Sequence, residues 1–247
     1  MLNPLFLYGW ASSPERVAVA AGVTVGFAVL ARVVRGVNLS GALAGGMACF
    51  LLFAGAGPSA FATLGALFVM TWAATRQGYR HKLSLGLAEL REGRNAWQVL
   101  ANLAVAALAS VALGFTGNRT WLAALVAGLA EAACDTVASE IGQSRGGEAR
   151  LITTWEMVAA GIDGGVTLVG SGAGLAAGLA IAVVAVTGGM IPRSQLWIPV
   201  AAGFAGMLID SVLGGTLQRR GWISNQAVNF VATLAAAALA FALAMIA

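Results

Sequence analysis

The stretch Trp121-Leu-Ala-Ala-Leu-Val-Ala-Gly-Leu-Ala-Glu-Ala-Ala-Cys-Asp-Thr-Val-Ala-Ser-Glu140 opens with ten residues that carry no charge and then admits three acids. About 20 residues of helix cross the hydrocarbon core of a bilayer, so the stretch is long enough to span it. Charge at that depth is costly and is normally paired, hydrated or bound to a cation. On a helix, Glu131, Asp135 and Ser139 recur every four residues and share one face, with Thr136 and Glu140 beside it. The reading is a membrane span that carries acids toward one end.

The rest of the chain fits that reading. Hydrophobic residues make up 59% of the 247 residues, charged residues 10%, and the mean hydropathy is +0.85. Soluble domains carry roughly 25% charged residues, so this chain lacks the polar material to face water. Its 33 glycines suit helices that approach closely inside a membrane. Apolar runs fall at 15–34, 38–55, 58–75, 97–115, 121–140, 164–187, 195–217 and 226–246. Only Gly55, Gly57 and Pro58 separate the second from the third, and the glycine-rich Gly161–Gly189 region reads as either a straight span or a broken one. The expected fold is an all-α polytopic transmembrane bundle of about eight spans, a single membrane domain over residues 1–247. Met1 to Ser13 lacks the features of a removable signal peptide. Cys49 and Cys134 lie inside apolar runs without CxxC spacing, so they read as small buried residues.

Counting Lys and Arg by loop orients the bundle. One side collects Arg32, Arg35, Arg76, Arg80, Lys82, Arg91, Arg94, Arg145, Arg150, Arg219 and Arg220, which is 11 of the 14 basic residues. By the positive-inside rule that side is cytoplasmic and both termini are outside. The net charge of +4 sits in short loops between apolar runs. It therefore points to membrane lipids as partners and away from nucleic acid.

The other polar residues gather on the same side. Arg94, Gln98 and Asn102 recur every four residues where the fourth run begins. Arg150, Thr153 and Thr154 follow the fifth run, and Gly161-Ile-Asp-Gly-Gly-Val166 leads into the sixth. Asp210-Ser-Val-Leu-Gly-Gly-Thr-Leu-Gln218 closes the seventh run, and Asn225-Gln-Ala-Val-Asn229 opens the eighth. Carboxylates with amides and hydroxyls suit Mg²⁺, which commonly takes one or two carboxylates plus substrate phosphates. A glycine pair such as Gly164-Gly165 at a helix start lets backbone N–H groups approach phosphate. Arg and Lys at the rim complete a polyphosphate cradle. There is no Walker lysine motif and no GxSxG, and the only histidine, His81, reads as a solvated loop residue. A Ser-His-Asp hydrolase is disfavoured. Phosphoryl transfer needs mainly positioning and charge neutralisation, and a phosphate acceptor needs no strong base.

These segments, RNAWQVLAN (94–102), DTVASEIG (135–142), RLITT (150–154), GIDGGVTLVG (161–170), DSVLGGTLQ (210–218) and NQAVNF (225–230), resemble in order the motifs of the domain-of-unknown-function 92 family. The resemblance covers roughly residues 36 to 240. That family includes the plant phytyl-phosphate kinase and related prenyl-phosphate kinases, and is distantly similar to dolichol kinase and the CTP-using lipid cytidylyltransferases. It implies an integral membrane kinase that moves the γ-phosphate of a nucleoside triphosphate, expected to be CTP, onto an isoprenoid monophosphate such as phytyl or geranylgeranyl phosphate. By the same resemblance Asp135, Glu140 and Asp210 are the catalytic and Mg²⁺-binding acids. Arg94, Gln98 and Asn102 line the pocket, and Lys82 and Arg150 contact phosphates. Asn95, Thr136, Ser139, Thr153, Thr154, Gly164, Gly165, Ser211, Gln218, Asn225 and Asn229 complete the nucleotide and substrate surface.

Two departures bear on the site. Gly161-Ile-Asp163 replaces a Pro-Gly-Thr-like lead into the glycine pair, which argues against Asp163 as a metal ligand. Gln226 stands where the family favours an acid. Two other readings remain open from the sequence: a cytidylyltransferase acting on a lipid phosphate, and a small-solute or lipid transporter.

Overall fold

A computed structural model of the chain describes residues 13–145 and 148–247. Met1 to Asn3 and the residues up to Ser12, most of the stretch read for a signal peptide, lie outside the described residues. Eight helices among the described residues are long and apolar enough to cross a membrane. They are α1 (Pro14–Val33), α2 (Leu39–Ala56), α3 (Pro58–Arg76), α5 (Ala96–Thr116), α6 (Thr120–Ser144), α7 (Leu168–Thr187), α8 (Trp197–Leu213) and α9 (Asn225–Ile246). A short helix, α4 (Tyr79–Ser84), lies between α3 and α5. A 3₁₀ turn at Arg193–Gln195 precedes α8 and a π turn at Gly214–Gln218 follows it.

Helix starts are set by residues that satisfy the first free backbone N–H groups, which hydrocarbon cannot solvate. Asn38, Thr167 and Ser224 accept from Gly41, Gly170 and Ala227 at the heads of α2, α7 and α9. The weak break between the second and third runs is real. Gly57 has φ +83°, and Pro58 follows as the first residue of α3. No such break interrupts α7, which is continuous from Leu168 to Thr187.

The helix that contains residues 121–140 is the shaft of the bundle. α6 touches α3, α5, α7, α8 and α9, and its residues from Leu122 to Cys134 are buried throughout. Small residues allow this. A Cβ at Gly170 would lie 2.5 Å from the Ala138 carbonyl, and one at Gly174 would lie 2.6 Å from the Cys134 carbonyl. Gly203 and Gly206 of α8 make the same close approach to Ala130 and Glu131. Both cysteines are free and buried.

The sequence expectation differs from the structure in three places. The sixth span starts at Leu168, four residues later than the apolar run. The fifth span extends to Ser144. The connection between them folds into a small antiparallel sheet, where loop was expected in an all-α chain. Its strands are β1 (Ala149–Leu151), β2 (Met157–Val158) and β3 (Gly165–Val166), in the order β2-β1-β3. The polar, glycine-rich composition of this connection masks strands of two or three residues, which are too short for a periodic signal.

Candidate active site

The α1–α2 turn, the 77–95 connection, the 145–167 connection and the α8–α9 connection lie together at one face of the bundle. Gly93 approaches the Gly36–Val37 backbone, Gly78 meets Ser144, and Gly164 meets Gly215. At the opposite face, the Ser59 hydroxyl donates to the Gly188 carbonyl at 2.7 Å. A polar cavity of about 430 Å³ opens at the first face. Its wall is built from the head of α5, the last turns of α6, the sheet connection, the head of α7, the end of α8 and the head of α9.

The wall residues are held by their elements, and Asn95, expected on the nucleotide surface, stands off the wall and acts as a helix cap. Asn95 caps α5 through Trp97 N and Gln98 N, while Gln98 Oε1 accepts from Asn95 N in a capping box. That bond orients the Gln98 amide, whose Nε2 donates toward Glu89 at 3.3 Å. One turn deeper, Asn102 Nδ2 donates to the Gln98 carbonyl at 2.8 Å, which leaves its Oδ1 buried and without a partner. Arg94 precedes the helix, so it does not continue the Gln98–Asn102 face as expected. Its backbone is clamped between Gly36 and Asn38 by hydrogen bonds of 3.1 and 3.0 Å. The clamp needs Gly93, which has φ +84°, because a Cβ there would fall 2.6 Å from backbone atoms. From this mount the guanidinium donates to Thr136 Oγ1 at 3.4 Å and lies 4.0 Å from Glu89.

The same cavity is lined by Asp135, Ser139 and Glu140 of α6, and by Asp210, Ser211 and Gln218 at and just beyond the end of α8. Asn225 and Asn229 of α9 also line it. Asp210 Oδ2 is buried without a hydrogen-bond partner. Asp135 and Asp163 both lie within electrostatic reach of it. Two carboxylates, one of them (Asp210) with a free buried oxygen, share the cavity wall with a free amide oxygen on Asn102, a donor set that fits a hard divalent cation completing its shell with phosphate oxygens. Among the described residues no three His, Cys, Asp or Glu side chains close around a site by themselves.

Glu140 fits such an ion less well than Asp135 and Asp210. Its Oε1 accepts from Thr75 Oγ1 at 2.9 Å, and its Oε2 pairs with Lys82 Nζ. Lys82 is fully buried, and Nζ also donates to the carbonyls of Ala74 and Thr75. Its donors are engaged within the protein, and it stands outside the cavity wall. Here it ties α4 to α3 and α6. Arg150 is likewise off the wall: it donates to the Trp155 carbonyl at 2.9 Å, within the sheet. Thr154 donates to Glu156 at 3.2 Å, and Thr153 packs beside Gly215. Gly164 and Gly165 do line the cavity, but from β3 and its approach and not from a helix start. Gly164 has φ +78°, and a Cβ there would meet Gly215 Cα at 2.4 Å. The glycines of both motifs thus seat the sheet on the end of α8.

Several wall residues were absent from the expected set. Glu89, Thr167 and Ser171 belong to it, and so do Asp163 and Gln226, which the departures in the family pattern had set aside. Thr167 carried a legible signal as a hydroxyl residue three before Gly170 at a helix head. Glu89 had none, because its partners Gln98 and Arg94 are fixed by the fold of the 77–95 connection. Glu131 is buried just beneath this wall, and both of its carboxylate oxygens lack a partner. His81 is exposed on α4.

Comparison with known proteins fits this architecture. A family model described as integral membrane protein DUF92 matches residues 22–237. An uncharacterized membrane protein of Synechocystis is 36% identical over 196 residues, covering 77% of this chain and 76% of that protein. Protein PGR of Arabidopsis thaliana is 34% identical over 217 residues, covering 77% of this chain and 75% of the other. The chloroplastic protein VTE6 of the same plant is 28% identical over 207 residues, covering 80% of this chain and 62% of the other. No solved structure matches the chain. A multi-pass membrane protein whose family model matches from within α1 to within α9 belongs to the DUF92 family of integral membrane proteins.

Proposed function

We propose that this chain is a CTP-dependent prenyl-phosphate kinase, transferring the γ-phosphate of the nucleotide to an isoprenoid monophosphate at the cytoplasmic face. The observation that carries the reading is the composition of the polar cavity. Two aspartates, one with a free buried oxygen, line a cavity of about 430 Å³ together with amides, hydroxyls and a clamped arginine. The only histidine, His81, is not on that wall. The cytoplasmic assignment follows from the basic loops, which flank the cavity.

The chemistry asks little beyond placement. An oxygen of the acceptor phosphate forms a bond to the γ-phosphorus as the bond from that phosphorus to the β-phosphate bridging oxygen breaks. Nucleoside diphosphate leaves, and the lipid diphosphate is the product. A phosphate acceptor is already anionic near neutral pH, with its second pKa at about 6, so no base must remove a proton first. Mg²⁺ held by Asp135 and Asp210 would neutralise charge on the donor phosphates. Arg94, held beside Thr136, binds and orients a phosphate, because its planar fork suits phosphate oxygens. Asn102 offers an oxygen oriented by its Nδ2 bond to the Gln98 carbonyl, and Gln98 an amide whose direction is set by the capping box.

Asp135→Asn and Asp210→Asn should each reduce transfer by about 10²-fold or more, the scale of losing a group that stabilises transition-state charge. Their elution as folded protein in detergent and their unfolding temperature should remain near wild type. Full activity in either variant removes that residue from the site.

A further inference from the structure

A second cavity, of about 520 Å³, lies beside the polar one and differs in character. Its wall is mainly apolar and comes from the ends of α1, α2, α3 and α5 nearest the same face, including Phe27, Ala31, Gly45, Gly46, Leu64 and Phe68. Phe27 meets Phe68 edge to face with centroids 5.3 Å apart. The three hydroxyls of this wall donate within the protein: Thr71 to the Leu67 carbonyl at 2.9 Å, Thr75 to Glu140 at 2.9 Å and Tyr79 to the Glu89 carbonyl at 3.3 Å. Volumes of roughly 300–1,000 Å³ are typical of small-molecule sites.

The rim of this cavity is cationic. Arg35, Arg76, Arg91 and Arg94 border it, against the single acid Glu89. Arg76 is pre-positioned: its guanidinium stacks over Trp72 at 4.0 Å and donates to the Val34 carbonyl. Arg35, Arg76 and Arg91 form no ion pair with an acid among the described residues. The two cavities also share a wall. Glu89, Arg94, Gln98 and Asn102 border both of them.

An apolar chamber with an arginine rim, sharing with a polar cavity a wall that includes Arg94, matches an amphiphile with an apolar tail and a compact dianionic head. We propose that this chamber is the acceptor site. It holds the tail of a lipid monophosphate, places the head at the arginine rim, and presents it to the polar cavity past Arg94. This rests on the kinase reading for the fate of the head, but the binding claim can be tested without it.

The test uses full-length protein in nanodiscs. Binding of geranylgeranyl monophosphate, dimethylallyl monophosphate and the uncharged alcohol geranylgeraniol is measured without nucleotide, and transfer kinetics are measured separately. Gly45→Leu adds bulk to the chamber wall: Gly45 and Val99 both line it, and a Cβ at Gly45 has ordinary clearance, 3.6 Å from Val99 Cγ1. It should weaken geranylgeranyl monophosphate binding at least ~10-fold, the scale of lost apolar pocket contacts, and leave dimethylallyl monophosphate binding unchanged. Arg35→Gln with Arg76→Gln, both at exposed positions, should weaken both monophosphates and spare the alcohol. The pair decides the matter if Gly45→Leu fails to fold.

Unchanged binding of the long-tailed monophosphate in the folded variants overturns the proposal. So does displacement of that ligand by ordinary phosphatidylcholine, which would make the chamber a seat for a bilayer acyl chain. If binding shifts as stated but no γ-phosphate is transferred, the chamber stands and the kinase reading falls. If transfer continues with an unaltered acceptor KM, the kinase reading stands and the chamber falls.

Discussion

Lys82 and Glu140 show how a residue's chemistry and its place in the fold can point to different work. A lysine in a basic loop and a glutamate at the end of an acidic span both suit a phosphate site. In the structure they are joined to each other, 58 positions apart in sequence, with Thr75 and two carbonyls completing the cluster. Removing one partner of a buried pair strands the other charge, at a cost of about 3–5 kcal/mol. Lys82→Met should therefore lower the unfolding temperature sharply, and Lys82→Met with Glu140→Leu should recover much of the loss. In the double variant the KM for CTP should stay near wild type. A large rise in that KM with normal stability would return Lys82 to phosphate binding. Pairings of this kind leave no trace in a single sequence, because nothing local distinguishes a lysine with a distant partner from one that faces solvent. Asp135, Asp210 and Asn102 were legible because their own position, a turn or two inside an apolar run, was already anomalous.

At the level of elements, the spans were readable and the connections were not. Hydrophobic runs located seven of the eight spans to within a few residues at the start, since a run of that length has no alternative in water. The sixth run began too early because Gly164, Gly165 and Val166 continue its apolar character into what is in fact a strand. Their role is geometric. Gly164 combines positive φ with a backbone-to-backbone approach to Gly215, so neither side can yield to a methyl group. Gly164→Ala should lift the sheet from the end of α8, with strain of order 1–3 kcal/mol. Limited proteolysis near β2 should accelerate and transfer should fall, while the spans stay folded. Gly172→Ala is the matched control, because a Cβ there meets nothing within 4 Å. Equal behaviour of the two variants would remove the packing role given to Gly164.

For the whole molecule, the bias of 11 basic residues in 14 toward one set of loops predicts which way the bundle faces. Cysteines introduced singly at exposed loop positions should react with a membrane-impermeant maleimide only from the cytoplasmic side at Arg80 and Arg219. At Arg193 they should react only from the outside. The reverse pattern would move the cavity to the other compartment, away from cytoplasmic nucleotide. Composition and loop charge carried this much of the architecture. The division into a polar and an apolar chamber depended on how α1, α2, α3 and α5 close against one another, which no run of residues announces.

The most direct test of the central claim is the fate of label from γ-labelled CTP, given to purified protein in nanodiscs with Mg²⁺ and geranylgeranyl monophosphate. The account predicts label in geranylgeranyl diphosphate, with unlabelled CDP formed in equal amount. Label in free pyrophosphate, with CMP attached to the lipid, would contradict it.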